Sequence, residues 1–331
     1  MAVTWHNHES CGFVVLNNPP VNAINHNMRE GLISAVKWAE REKLKRVILS
    51  GSGHGFAAGA DTKEFDHPPV SPHLPDVINC IEATTVPWLA AIHGAALGGG
   101  GELALGCRYR IARADATIGF PEVILGLVPG AGATQRLPRL IGLTEALKLI
   151  PTGKTISGRA AMAIGLVDAI DDDPINAAKL IDQKILSELI PLNLTKARAD
   201  KTVNYDAARQ IAIRRMRGQE APLTAISLLE MAQTTTFDDG MQKERTAFLA
   251  LRASSQARAL RHIFFTERAA KKPPKAIAKQ KFNPKQLDHV MVIGGGTMGS
   301  GIAYAFLNAN IRVTILESDD PGMQRANTAI D

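Results

Sequence analysis

The sequence predicts an α/β protein in three parts: a run of strand–strand–helix turns, a mostly helical stretch, and a separate βαβ unit. Three observations predict it. Short apolar runs at residues 12–16, 46–50, 88–92, 109–112 and 117–119 read as buried strands, separated by helical spacing, and the unit recurs about every 40–50 residues with little similarity between turns. From residue 141 to 268 the pattern is mostly helical. Beyond a lysine-rich linker, K-K-P-P-K-A-I-A-K-Q-K-F-N-P-K, an apolar strand runs into G-x-G-x-x-G.

Each element follows from its residues. Between the first two strands, residues 27–44 carry Met28, Leu32, Ala35, Val36 and Ala39 on one helical face. The second strand enters a loop, G-S-G-H-G-F-A-A-G-A-D-T-K-E-F, in which Asp61 reads most simply as a helix N-cap. Residues 67–75, rich in Pro and His, read as an exposed connector, and 76–84 as a helix. The next stretch, W-L-A-A-I-H-G-A-A-L-G-G-G-G-E, breaks at Gly94 and passes through four glycines, Gly98 to Gly101, into a short helix with Glu102 at its start. Four glycines in a row cost roughly 0.5–1 kcal/mol each against alanine in a regular element. A chain tolerates that where another molecule lies against bare backbone.

Composition bounds the class. At 331 residues the chain is long enough for two domains, and 45% apolar with 21% charged residues is ordinary for a globular protein. The net charge of +6 is partly local, since residues 268–285 hold seven basic residues and no acidic one. Cys11, Cys80 and Cys107 are too widely spaced for a disulfide framework or a metal site, which fits a reducing compartment. The first residues, M-A-V-T-W-H-N-H, show no secretory signal pattern. Windows 83–101 and 290–311 lack Asp, Glu, Lys and Arg, but glycines, Pro87, His93 and asparagines break them, so no membrane span is expected.

Three places carry chemistry. The amide of Ala60, in A-A-G-A-D, and that of Gly99 make a candidate oxyanion hole, in which one donor is worth about 2.7–4 kcal/mol of transition-state stabilisation. Glu122, in I-G-F-P-E-V-I-L-G, follows a proline between apolar neighbours, twenty residues past Glu102. Two carboxylates in apolar, glycine-rich surroundings have pKa values pushed apart, one serving as acid and the other as base. Taken singly, a glycine cluster is more often a tight turn, and a glutamate in a first helical turn a dipole-favouring charge.

The segments F-A-A-G-A-D-T-K-E-F, A-I-H-G-A-A-L-G-G-G-G-E-L-A-L-G-C and I-G-F-P-E-V-I-L-G-L-V-P-G-A-G-A-T-Q-R-L resemble the enoyl-CoA hydratase/isomerase (crotonase) superfamily over about residues 10–190. The resemblance implies a spiral of ββα turns and an acyl-CoA thioester as substrate. It implies that Ala60 and Gly99 hold the thioester oxygen as it becomes an enolate. It makes Glu102 and Glu122 the catalytic pair, and holding both favours water addition to a 2-trans-enoyl-CoA, giving the 3-hydroxyacyl-CoA without any cofactor. Isomerisation of a 3-enoyl-CoA through Glu122 would be a side reaction. Lys63, and more loosely Asn22 and Ala23, match positions near the CoA. Two alternatives stand beside hydration: isomerisation only, with Glu102 dispensable, or a non-enzymatic RNA-binding role carried by the basic residues 268–285. The latter has a single aromatic, Phe282, so a solvated spacer is favoured and no nucleic acid is expected.

In the last part Gly294, Gly296 and Gly299 follow a strand at 290–293 and precede a helical run at 300–308. A second strand, 312–316, ends at Glu317, twenty-three residues past the first glycine. This is the dinucleotide fingerprint, with pyrophosphate on the helix N-terminus and Glu317 on the ribose, favouring NAD. V-M-V-I-G-G-G-T-M-G-S-G-I-A resembles the start of the 3-hydroxyacyl-CoA dehydrogenase NAD-binding domain, implying cofactor contacts from Gly294, Gly296, Met298, Gly299 and Glu317. The order of parts resembles the fused multifunctional β-oxidation enzymes, in particular the shorter peroxisomal-type bifunctional form. The expected division is a hydratase/isomerase domain at 1–190, a helical region and basic linker at 191–285, and a dehydrogenase fragment at 286–331. The fragment is expected to lack dehydrogenase activity and to bind NAD weakly if at all, because one βαβ unit cannot cover its own sheet faces. The resemblance further implies a monomer or homotrimer, cytoplasmic in a bacterium and peroxisomal in a eukaryote.

Overall fold

A computed structural model describes residues 1–197, 203–271 and 286–330. By backbone contacts the chain forms two units, Met1–Ala269 and Ala270–Asp331. Of the basic stretch 268–285, residues 272–285 lie outside the described residues.

The first unit begins with β1 (Val3–His8), β2 (Cys11–Leu16), α1 (His26–Arg41), β3 (Arg46–Gly51), α2 (Leu74–Ala83) and β4 (Trp88–Ile92). It continues with β5 (Ala95–Leu97), α3 (Gly99–Leu105), β6 (Tyr109–Ala112) and β7 (Thr117–Gly119). Then come α4 (Ala133–Ile141), α5 (Leu143–Leu149), β8 (Thr155–Ser157), α6 (Gly158–Ala163), β9 (Ala169–Ile170), α7 (Pro174–Leu180) and α8 (Gln183–Glu188). Four further helices close it: α9 (Tyr205–Arg215), α10 (Ala221–Met231), α11 (Phe237–Ala253) and α12 (Ser255–Ala270). Short 3₁₀ turns lie at Thr62–Asp66 and Pro121–Leu125.

A six-stranded sheet runs β1-β2-β3-β4-β6-β9, parallel except for the β1–β2 hairpin. A second, three-stranded sheet runs β5-β7-β8. Gly94 joins β4 to β5 at φ 55°, and a Cβ there would lie 2.0 Å from the carbonyl oxygen of His54. Only glycine lets the chain leave one sheet for the other at that point. β6 and β7 repeat the move, so these two successive turns each give one strand to each sheet.

Burial in a parallel sheet explains why Trp88–Ile92 is apolar throughout, with every residue buried. Val47, Leu49, Trp88, Ala90 and Ile92 face the main core, while Ile48, Leu89, Ala91 and Ile111 form a second cluster with Ala178 of α7 and Leu186 of α8. α1 buries Met28, Leu32, Ala35, Val36 and Ala39, the face that its spacing predicts, and Asn25 caps it by accepting from the Met28 amide. Full burial of the larger three contributes about 1.5–3 kcal/mol each.

Four strands escape the sequence reading: β1, β5, β8 and β9 are short or polar and find their partners only by tertiary pairing. The helices after residue 190 pack back on the spiral, α10 and α11 both touching α4.

The second unit holds β10 (His289–Ile293), α13 (Thr297–Asn308), β11 (Arg312–Leu316) and α14 (Asp320–Ile330), with β10 and β11 parallel. Met291, Ile293 and Leu316 remain more than half exposed, as expected of two strands covered on one face. Among the described residues no helix is long and apolar enough to cross a membrane, and no cluster of His, Cys, Asp and Glu is placed to hold a metal.

Candidate active site

A cleft of about 440 Å³ opens where the two sheets' connecting loops meet α11. It is large enough for the reacting end of a small organic ligand. Ala60, Gly98, Gly99, Glu102 and Glu122 all line it.

The glycine run builds the floor. Gly98 has φ 51° and ψ −123°, and a Cβ on it would lie 2.8 Å from Oε1 of Glu122. The carboxyl group is therefore seated against bare backbone. At Gly99 a Cβ would lie 3.3 Å from the amide nitrogen of Ala60, which shows how closely these two loops approach. Neither the Ala60 nor the Gly99 amide donates a hydrogen bond among the described residues. Asn22, fully buried, braces the Ala60 loop from behind: its amide donates to the carbonyls of Ser52 and Gly55 at 2.9 and 2.8 Å.

The two glutamates have different surroundings. Glu102 lies in the first turn of α3, 3% exposed, and its Oε1 accepts from the amides of Ala131 (2.8 Å) and Ala133 (3.1 Å). Burial raises its pKa, while those two amides and the charges of Arg136 and Arg245 pull it back. Glu122 sits in the 3₁₀ turn Pro121–Leu125, ended by Gly126 in the left-handed conformation. Its buried Oε2 has no hydrogen-bond partner. Burial, and then the negative charges of Glu102 and Glu244, push its pKa well above the ordinary carboxylate range. Both carboxyls are raised, Glu122 the further, so Glu102 is the more readily ionised of the two.

α11 supplies a wall that sequence reasoning missed. Glu244, 0% exposed, accepts from the amides of Gly132 and Thr134 and from the Thr134 hydroxyl. Burial beside Glu102 raises its pKa to about 8. Phe248 and Arg252 also line the cleft. Arg252 donates to the carbonyls of Glu64 and Phe65, and Arg29 of α1 donates to the Pro72 carbonyl and pairs with Glu64 at 2.7 Å. Together they clamp the Pro/His connector, whose outer side is exposed as expected but which also lines the cleft. A signal was present: Gly240, Glu244, Phe248 and Leu251 share the buried face of α11, so a glutamate stands in an apolar stripe. Asp61 caps the 3₁₀ turn by accepting from the Lys63 amide, and Lys63 itself is exposed and not among the lining residues.

In the second unit Gly294 takes φ 89°, and a Cβ on Gly299 would lie 1.7 Å from the Gly294 carbonyl oxygen, so α13 packs directly on the loop. Gly296 caps α13 without a side-chain hydrogen bond, and nothing lies within 4 Å of its would-be Cβ. Glu317 accepts from the Gly295 amide. Open helix amides beside a seated acid fit a dinucleotide's pyrophosphate and ribose. Met298 is exposed at the same end of α13.

Comparison with known proteins agrees with this geometry. Residues 6–222 match the family described as enoyl-CoA hydratase/isomerase, and residues 289–331 match the 3-hydroxyacyl-CoA dehydrogenase NAD-binding domain. The chain is 39% identical to the peroxisomal bifunctional enzyme of Cavia porcellus, over 97% of this chain and 46% of that protein. It is 35% identical to a peroxisomal fatty acid beta-oxidation multifunctional protein of Oryza sativa subsp. japonica, over 96% and 46%. It thus spans about half the length of the curated relatives it matches. The solved enoyl-CoA hydratase of Thermoplasma volcanium is 26% identical with a TM-score of 0.52, covering 85% of this chain and 98% of that one. An enoyl-CoA hydratase/isomerase from Pseudoalteromonas atlantica shares the fold at a TM-score of 0.60 and 22% identity, over 81% and 98%. With two glutamates and two free amides on one cleft, and a family match across two thirds of its length, the chain belongs to the enoyl-CoA hydratase/isomerase family.

Proposed function

We propose that this chain is an enoyl-CoA hydratase of fatty acid β-oxidation, the hydratase portion of a multifunctional enzyme. The observation that carries this reading is the unequal pair of glutamates. The thioester oxygen is held by the amides of Ala60 and Gly99, which stabilise the enolate as it forms. Glu102, which two amides leave the more readily ionised of the pair, takes a proton from water as the water oxygen bonds to the β-carbon. Glu122, kept protonated, delivers its proton to the α-carbon, giving the 3-hydroxyacyl-CoA. Glu122 alone is enough to move a proton between the α- and γ-carbons of a 3-enoyl-CoA, so isomerisation is a side activity. Lys63 sits at the surface, where the CoA phosphates would pass.

The second unit is the beginning of a dehydrogenase domain. When bound, NAD would accept the hydride of the 3-hydroxyacyl product. Here Gly294, Gly296, Met298, Gly299 and Glu317 are the residues placed to hold it. The division at 190 and 285 is proposed as one of ancestry, with α9–α12 completing the cleft of the first part. A monomer or homotrimer is proposed, peroxisomal in a eukaryote and cytoplasmic in a bacterium.

Glu102→Gln tests hydration against isomerisation alone. The glutamine oxygen still accepts from Ala131 and Ala133, so the site keeps its shape and loses only its base. Hydration of a short 2-trans-enoyl-CoA, followed by loss of enoyl-thioester absorbance, is expected to fall about 10²–10⁴-fold. A wild-type hydration rate in that variant would overturn the hydratase reading.

A further inference from the structure

Four consecutive amides at the start of α4 are shared between two buried carboxylates. Glu102 takes Ala131 and Ala133 on its Oε1, at 2.8 and 3.1 Å. Glu244 takes Gly132 on Oε1 at 2.6 Å and Thr134 on Oε2 at 2.9 Å, with the Thr134 hydroxyl at 2.6 Å. The alternation is built in. Gly132, at φ 110°, is the N-cap of α4, and a Cβ on it would lie 2.9 Å from Sδ of Met241, one turn before Glu244 on α11. A Cβ on Gly240 would lie 2.1 Å from Oε1 of Gln135, so the Gln135 side chain of α4 lies directly on the α11 backbone. Arg136 donates to the Ala131 carbonyl at 3.0 Å and fixes the other side of that peptide.

We propose that Glu244 is a positioning residue for water addition. By holding the even-numbered amides from the α11 side, it turns the odd-numbered ones onto a single oxygen of Glu102. Oε2 of Glu102 then has no protein partner among the described residues and is left for the attacking water. Without Glu244, the peptides 131–134 have no reason to keep alternating, and Glu102 loses both its orientation and the donors that offset its burial. Burial beside Glu102 also favours the protonated form of Glu244, so that it holds its place without adding a second full negative charge beside Glu102. This assignment rests on the hydratase reading and concerns Glu102 alone. Glu122, seated on Gly98, accepts from neither pair of amides.

The test is a double-mutant cycle on hydration of a short 2-trans-enoyl-CoA. Glu244→Ala is expected to lower kcat about 10–100-fold with KM within about twofold, as for an orientation error of roughly 1 Å. Should that variant not fold, Glu244→Gln serves in its place: it fills the same volume and still accepts from one of the two amides. In the Glu102→Gln background either substitution is expected to change the residual rate less than about threefold, because its target has lost its function. Glu244→Asp, which keeps both acceptors, is expected to recover part of the lost kcat. Losses that multiply with those of Glu102→Gln, or a loss confined to KM, would overturn the proposal and leave the hydratase reading standing. A wild-type chain that hydrates no enoyl-CoA would overturn both.

Discussion

Replacing Gly98 with alanine separates the seating of Glu122 from the stability of the loop that seats it. At φ 51° and ψ −123° a residue with a side chain is strained by about 1–3 kcal/mol. The new Cβ would lie 2.8 Å from Oε1 of Glu122 and 3.3 Å from its carboxyl carbon. Non-bonded atoms settle at about 3.5 Å or more, so the carboxyl must move by roughly 0.5–1 Å. It is able to, because Oε2 is tied to nothing. A displacement of that size at a proton donor costs about 10²-fold in rate. Gly165 is the control: its φ is 76°, and nothing lies within 4 Å of its would-be Cβ. Gly165→Ala therefore carries backbone strain without the contact. Both variants are expected to lose about 1–3 kcal/mol in denaturant titration. Only Gly98→Ala is expected to lose about 10²-fold in kcat, read from enoyl-thioester absorbance. Equal kcat in the two variants would refute the claim that Gly98 is glycine because of Glu122.

Two further outcomes follow from the buried charges. Arg136 and Glu82, 0% and 2% exposed, pair at 2.7 Å, so Glu82→Ala strands a guanidinium and is expected to cost about 3–5 kcal/mol by chemical denaturation; a loss under about 1 kcal/mol would contradict the burial. Glu244 has its pKa raised to about 8 from an ordinary 4.5 by burial and by Glu102, with Arg245 and Glu122 also facing the cluster. The folded state therefore binds this proton more tightly than the unfolded one, and the stability it contributes is present below about pH 4.5 and lost as pH rises towards 8. The slope approaches 1.4 kcal/mol per pH unit at most. Glu244→Gln should flatten the fall in stability between about pH 5 and 8, and an unchanged slope would mean that Glu244 is ionised throughout.

The spiral was legible because its turns are marked locally. Trp88–Ile92 is apolar at every position, the periodic face of α1 is complete, and Gly94 interrupts one apolar run at the point where the chain changes sheets. What was not legible had no local mark. Val3–His8 is V-T-W-H-N-H, half polar, and becomes a strand only because residues 11–16 lie antiparallel to it. Ala169–Ile170 is two residues long and is defined wholly by its pairing with β6.

The site divides along the same line. Ala60, Gly99, Glu102 and Glu122 announce themselves because glycines and short apolar runs surround them in the sequence. Which carboxyl keeps its proton is a different kind of fact. It depends on the direction of four peptide amides at residues 131–134, and that direction is set by a helix more than a hundred residues further on. The spacing of Gly240, Glu244, Phe248 and Leu251 shows that a glutamate lies on a buried face, but nothing in it says against what. Burial raises both glutamates of the pair, but Glu102 has two amides to offset it and Glu122 has an Oε2 with no donor, so Glu102 is the more readily ionised of the two. The amides that tell Glu102 from Glu122 are ordinary backbone, which no residue type records. The acid–base assignment therefore comes from the packing of α11 on α4, and not from the two glutamates themselves.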